Sequence, residues 1–566
     1  MLALVNSNHI LLKMGKKVFV FFILVQSFLY VPAQAQAVHY WVQFSDKNNS
    51  PYSLENAHIF LSQKSLERRA AQGIKIDSSD VPVSPAYLAG IKKTGAKIIN
   101  TSKWINGVVI TSENTSTIEA IKALSFVIAV KPLEDTPIIS SSSSKFSKES
   151  FIPFEAGELS SYNKTANYNY GPSFNQINMI SGDSLHNMGL TGEGKIIAML
   201  DAGFYNVNTL AAFDSLRLNN QILGTWDFAT GNSSVYEDDA HGMMTLSVIA
   251  ANLPGQLVGT APKASFWLLR TEVVASESLS EEYNWAAAAE FADSVGVDII
   301  SSSLGYNTFD NSAQNHTYAD MNGNTTPITI AADKAAAKGI LVIVSAGNEG
   351  NNPWHYILAP ADGDSVMAVG AVDANKVRAV FSSVGPSYDR RIKPNVAAQG
   401  VNTVLASSNG GTLLGNGTSF ACPIIAGMAA CLWQGNPSLT NMEILHLIEK
   451  SCDHYNTPDS LTGFGIPNFV VANTMLTAGK NIESLQIYPN PFFNDLKFSF
   501  YSQGGDKIVI EIYDAIGKRL LISEKDVSAN KINYMEINEL SRMNNGIYLL
   551  KLSMANKSYI HKIIKY

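Results

Sequence analysis

Four polar residues far apart in the chain have the types that acyl-transfer chemistry uses: a carboxylate (Asp201), an imidazole (His241), an amide (Asn348) and a hydroxyl (Ser419). Ser419 lies in Gly415-Asn416-Gly417-Thr418-Ser419-Phe420-Ala421-Cys422-Pro423. The two glycines allow a tight turn, and a run of small and apolar residues, Ala421 to Leu432, then reads as a helix. Ser or Thr suits the mouth of a helix, and Pro423 is tolerable only near the first turn, so the predicted start lies close to Ser419. There the hydroxyl would sit beside unpaired N–H groups and the positive end of the helix dipole, both of which favour developing negative charge. A capped, buried helix behind a glycine turn explains the same segment without chemistry. A base, an orienting acid and an oxyanion donor must come from elsewhere in the chain.

Asp201 closes the apolar run Lys195–Leu200, where a lone carboxylate is costly unless it is paired. His241-Gly242 follows Glu237-Asp238-Asp239 and opens the apolar stretch Met243–Ala251. Asn348 sits in a Gly-Asn-Glu-Gly turn, where asparagine tolerates left-handed geometry. Each residue alone has an ordinary reading as a turn aspartate, a surface or capping histidine, or a turn asparagine. All four together, in the order Asp, His, Ser within one region, are hard to explain that way.

The elements that must hold them alternate. Strands are predicted at Lys195–Leu200, Ser265–Arg270, Asp298–Ser301, Gly339–Ser345 and Val366–Val372. Helices are predicted at Met243–Asn252, Ser280–Val295, Thr329–Lys338 and Ser419–Gln434. Strand–helix alternation implies an α/β fold, a mainly parallel sheet with helices on both faces. Ligands of such sheets bind outside the carboxyl ends of the strands, where Asp201, Ser303 and Asn348 fall.

Residues 172–479 resemble a subtilisin-family serine endopeptidase. The motifs that carry the resemblance are Leu200-Asp201-Ala202-Gly203, His241-Gly242, Ser303-Leu304-Gly305, Ala346-Gly347-Asn348-Glu349-Gly350 and Gly417–Pro423. The Asp-His-Ser order is that of subtilisin, and a Gly-x-Ser-x-Gly hydrolase elbow is absent around Ser419. Ala202 replaces the usual Ser or Thr after the aspartate, and Met243 the usual Thr after His-Gly; both bear on packing beside the triad. The resemblance implies Ser419 as nucleophile, His241 as base, Asp201 as orienting acid and Asn348 in the oxyanion hole. It also implies a substrate strand along Ser303, Leu304 and Gly305, substrate contacts from Ala346 and Gly347, and Glu349 in the primary specificity pocket, which hints at tolerance for basic side chains.

The flanks complete the expected organisation. The 566 residues are 46% hydrophobic and 16% charged, which excludes wholesale disorder, and the net charge of −7 offers no electrostatic case for nucleic acid. Lys16 and Lys17, the apolar run Val18–Val31 and Ala33-Gln34-Ala35 read as a signal peptide over 1–35, and no other run is long enough to span a membrane. Residues 38–132 read as a small α+β module resembling the family's inhibitory pro-domain. Residues 133–171, with the tract Ser140–Ser144, read as an exposed linker with a processing site. Residues 482–566 read as a small β-sandwich resembling the sorting domain of type IX secretion cargo. The expected protein is therefore a secreted or surface-attached, self-processed serine endopeptidase. Its partners would be protein or peptide substrates, its own pro-domain and the type IX machinery; the alternative is a catalytically silent surface binding protein. No cofactor is needed for the chemistry. Structural calcium is a family expectation, although Asp320-Met321-Asn322-Gly323-Asn324 reads better as an ordinary polar turn. Cys422 reads as a buried small residue, and the pairing of Cys422, Cys431 and Cys452 is left open.

Overall fold

The computed structural model describes residues 38–48, 50–133, 146, 148–153, 168–478, 486–502, 507–528, 531–538, 540–554 and 557–566. The expected signal peptide and the serine tract lie outside the described residues. Strands β1 (Val38–Phe44), β2 (Lys97–Ser102), β3 (Gly107–Ser112) and β4 (Val127–Pro132) form an antiparallel sheet in the order β2-β3-β1-β4. Side chains alternate across it. Val42, Phe44, Val108 and Ile110 close a core with Ile91 of α2 (Pro85–Lys93) and with Ile118 and Ile121 of α3 (Thr115–Lys122). On the other face, the Trp41 ring stacks on Tyr283 of the central unit at 4.4 Å. The stretch Leu54–Ala71 is not one continuous helix. A 3-10 turn at Leu54–Ile59 precedes α1 (Gln63–Ala71), which restarts where the Ser62 hydroxyl accepts the Ser65 N–H at 3.2 Å.

After β5 (Ser150–Pro153) comes the central sheet. Its strands are β6 (Ile196–Asp201), β7 (Ile222–Asp227), β8 (Ser265–Arg270), β9 (Ile299–Ser302), β10 (Leu341–Ser345), β11 (Val366–Val372) and β12 (Val396–Gln399). They lie in the order β12-β11-β10-β9-β6-β8-β7, each parallel to its neighbours. The inner strands are apolar on both faces because both faces are covered. Ile197, Met199, Leu341 and Ile343 join a core with α4 (His241–Ala250) and α7 (Thr418–Gly435). Ile196, Ala198, Leu200, Val342 and Val344 join another with α5 (Leu279–Val295) and α6 (Pro327–Ala337).

A smaller antiparallel sheet has β14 (Thr412–Asn416) between β13 (Thr403–Ala406) and β5. The expected exposed linker is therefore a paired strand over Ser150–Pro153, and Glu149 just before it is buried, because the edge of β14 recruits this stretch as a third strand. The C-terminal region forms two sheets. One contains Gln486–Tyr488, Leu496–Ser502 and Lys531–Ile537; the other contains Lys507–Tyr513, Arg519–Asp526, Gly546–Met554 and Lys557–Lys565. Both contribute to one core, including Phe498, Ile510, Ile512 and Leu550, which makes the unit a sandwich. Among the described residues no helix is long and apolar enough to cross a membrane.

Candidate active site

The carboxyl end of β6 and the start of α4 bring Asp201 to His241. Gly242 allows that approach, since a Cβ there would lie 2.4 Å from the Gly203 carbonyl oxygen and 2.9 Å from Asp201 Cβ. Asp239 accepts the His241 backbone N–H at 2.7 Å, satisfying an orphan donor of the first turn. His241 Nδ1 then meets Asp201 Oδ1 at 2.6 Å, with both side chains 1% exposed. The Ala202 N–H (2.7 Å) and the Thr245 hydroxyl (3.0 Å) also donate to the Asp201 carboxylate. This buried carboxylate is thus fully hydrogen-bonded, as its burial requires. Met243 and Ala202, which depart from the family's usual residues, are both fully buried, and Met243 packs in the core under α4.

α7 begins at Thr418 with Gly417 as its cap residue, so Ser419 lies inside the first turn rather than capping it. The capping oxygen comes from another loop: Asn348 Oδ1 accepts both the Thr418 N–H and the Thr418 hydroxyl at 2.9 Å. With Oδ1 held, the amide nitrogen is the end of Asn348 left for a ligand in the cleft. Gly347, at φ +106°, makes the turn, and a Cβ there would lie 2.7 Å from Leu358 Cγ. Pro423 lies in the second turn of α7, later than expected. It has no N–H for the carbonyl four residues earlier, that of Ser419, and the Ser303 hydroxyl donates to that oxygen instead at 2.8 Å. The Ser419 hydroxyl contacts the Ser303 carbonyl oxygen at 3.4 Å rather than His241.

Ser419, Asn348, Glu349, Ser303, Leu304 and Gly305 line one cleft of about 310 Å³. Ala346 lies beneath it, its N–H on the Val369 carbonyl (2.9 Å) and its own carbonyl accepting from Leu358 N–H (3.2 Å). The cleft already holds part of this chain. The Phe146 ring lies on the His241 imidazole, centroids 3.9 Å apart and nearly parallel. Lys148 pairs with the buried Glu349 carboxylate, and Glu149 Oε1 lies 3.2 Å from His241 Nε2. Burial alone would lower the His241 imidazole, but the Asp201 and Glu149 carboxylates outweigh it and push it well above its ordinary 6.5.

Sequence reasoning missed Thr245 and Glu149. Thr245 carried a usable signal, because it sits four residues after His241 on one helix and so shares its face. Glu149 carried none, being 92 residues from His241 in a stretch without periodicity.

The expected polar turn spends its oxygens internally. Asp320 accepts from the Thr317 N–H and hydroxyl at 2.7 Å, and Asn322 Oδ1 from the Asn324 N–H at 2.9 Å. In the described acidic cluster the ligand oxygens of Glu272, Glu277 and Glu281 lie within 4.8 Å of one another, and Glu272 and Glu281 hold other partners. Tyr306 donates to Glu272, and Glu281 accepts the N–H groups of Val273 (2.8 Å) and Ser278 (3.0 Å). The three cysteines are buried and unpaired, and burial pushes the Cys422 thiol up to about 12, which makes it inert.

Three family profiles match the chain. The subtilase family matches residues 192–465, the peptidase S8 propeptide domain of Bacteroidota residues 39–148, and the secretion system C-terminal sorting domain residues 486–566. Subtilisin NAT of Bacillus subtilis subsp. natto is 31% identical over 283 residues, 49% of this chain and 65% of its own length. Subtilisin BL of Lederbergia lenta is 30% identical over 294 residues, 52% of this chain and 95% of its own. The solved structure of MycP1 from the ESX-1 type VII secretion system is 21% identical, with a TM-score of 0.42, covering 58% of this chain and 92% of that one. The sorting domain makes this an exported protein. With a propeptide before it and a sorting domain after it, the chain belongs to the subtilase family.

Proposed function

We propose that the protein is a secreted serine endopeptidase made as a self-processed precursor. The observation that carries this reading is the buried Asp201–His241 pair, 2.6 Å apart, beside the cleft that Ser419 and Asn348 line. Ser419 Oγ attacks the peptide carbonyl carbon while His241 Nε2 takes its proton. Asp201 fixes the tautomer with the proton on Nδ1 and stabilises the imidazolium. The Asn348 amide and the Ser419 backbone N–H take the oxyanion at the positive end of α7. Collapse passes the proton to the leaving amine and leaves an acyl ester on Ser419, which water then hydrolyses. Substrate lies as an added strand along Ser303–Gly305, whose backbone gives sequence-tolerant affinity. Residues 38–132 act as the inhibitor in cis, and the C-terminal sandwich is read by the type IX secretion machinery.

A fluorophosphonate reports on this assignment directly. The processed wild type should take the label and Ser419→Ala should not. A wild type freed of its pro-domain that takes no label would point instead to a silent binding protein.

A further inference from the structure

The chain that occupies the cleft is the precursor's own, and its consecutive side chains take different partners there. Lys148 extends to Glu349, which is 5% exposed and also holds the Asn352 amide through its other oxygen at 3.1 Å. Glu149 turns the other way. Its carboxylate lies against His241 Nε2, and a Cβ on Gly417 would come within 3.0 Å of its Oε1. Immediately afterwards the chain leaves along β14, with Phe151 opposite Gly415 and the Asn416 amide donating to the Ser150 hydroxyl at 2.8 Å. Consecutive residues thus reach Glu349 and His241, and Lys148 and Glu149 both line the same cleft as Ser419. Independently, the propeptide match ends at residue 148.

We propose that the precursor cuts itself between Lys148 and Glu149, with the lysine side chain taken by Glu349; this rests on the peptidase reading above. In the cut, Ser419 Oγ bonds to the Lys148 carbonyl carbon and the bond to the Glu149 nitrogen breaks. The serine proton reaches that nitrogen through His241. Water then frees Lys148 as a carboxylate and restores the Ser419 hydroxyl. Two contacts hold the bond back in the resting precursor. The Glu149 N–H is tied to the Phe146 carbonyl in a turn at 3.0 Å, and the Glu149 carboxylate occupies the His241 nitrogen that must act as base. Both must open before attack. Once cut, the new N-terminus would be Glu149, with β5 still paired to β14.

Mass spectrometry of the purified full chain, followed over time, tests this with fluorophosphonate labelling of the same samples. The expected wild-type product begins at Glu149. Lys148→Glu, which sets a carboxylate against Glu349, should slow the cut at least about tenfold, whereas Lys148→Arg should keep it near the wild-type rate. Lys148 is half exposed, so neither change threatens folding. A product that labels but begins elsewhere, or a Lys148→Glu precursor that cuts at the wild-type rate, overturns the proposal and leaves the peptidase reading standing. A wild type that neither cuts nor labels overturns both.

Discussion

At the scale of single residues, the most consequential contact is the one between His241 and Glu149. The two carboxylates at the imidazole hold it charged in the precursor, and an imidazolium cannot accept the Ser419 proton. Self-processing should therefore be slow at low pH and rise as pH climbs through the elevated His241 value. Glu149→Gln removes one of the two raising charges, so the rising limb of the processing rate should move to lower pH. A limb that stays in place would show that Glu149 does not set the histidine's charge. Residue types exposed most of this site in advance. Asp201 stood at an apolar strand end, His241 and Ser419 at helix starts, and Asn348 in a glycine turn. Glu149 was illegible because nothing local marks a residue whose partner is brought to it only by tertiary folding.

At the scale of elements, α7 shows how a proline is accommodated beside a nucleophile. Pro423 orphans the Ser419 carbonyl, and the Ser303 hydroxyl from the end of β9 supplies the missing donor. Ser303→Ala should leave a buried carbonyl unsatisfied and cost about 1–3 kcal/mol, read as a lower denaturation midpoint of the mature protein. An unchanged midpoint would mean the carbonyl is satisfied some other way. The same segment shows the limit of local rules. Proline tolerance put the helix start near Ser419, yet the start at Thr418 is set by Asn348 reaching across from another loop. The inner strands were readable as apolar runs. β7 was not, because its Ile-Leu-Gly-Thr-Trp-Asp is an edge strand with Leu223 and Trp226 exposed. β12 was not, because Val-Ala-Ala-Gln is short and small-sided.

At the scale of the whole molecule, the pro-domain is held on α5 by buried charge. Asp293 accepts from Arg68 (2.6 Å), Arg69 (2.6 Å) and Lys103 (3.1 Å), and Glu290 accepts the Ser102 hydroxyl (2.5 Å) and the N–H groups of Lys103 (2.7 Å) and Trp104 (3.0 Å). Removing one partner from such a network leaves the others buried and unpaired. Asp293→Asn should weaken inhibition by the pro-domain added in trans at least thirtyfold, equivalent to about 2 kcal/mol. Burial would raise the Asp293 carboxyl, but Lys103, Arg69 and Arg68 hold it at about 2, below its ordinary 3.8. A depressed acid contributes above its unperturbed value and loses that contribution as pH falls through the depressed one. Inhibition should therefore persist down to about pH 4 and fade between there and pH 2. Equal inhibition constants for wild type and variant would place the hold elsewhere, on the Glu290 contacts or the Trp41–Tyr283 stack. This interface was beyond sequence reasoning, since these pro-domain partners of Asp293 and Glu290 lie between 186 and 225 residues from them in the chain.

On the proposed reading Ser419, activated by His241 and Asp201, performs the chemistry. Peptide mapping of the mature chain after fluorophosphonate treatment tests it most directly. A single adduct on Ser419, abolished by His241→Ala, is the predicted result. An adduct on another residue, or labelling that survives loss of the histidine, would contradict it.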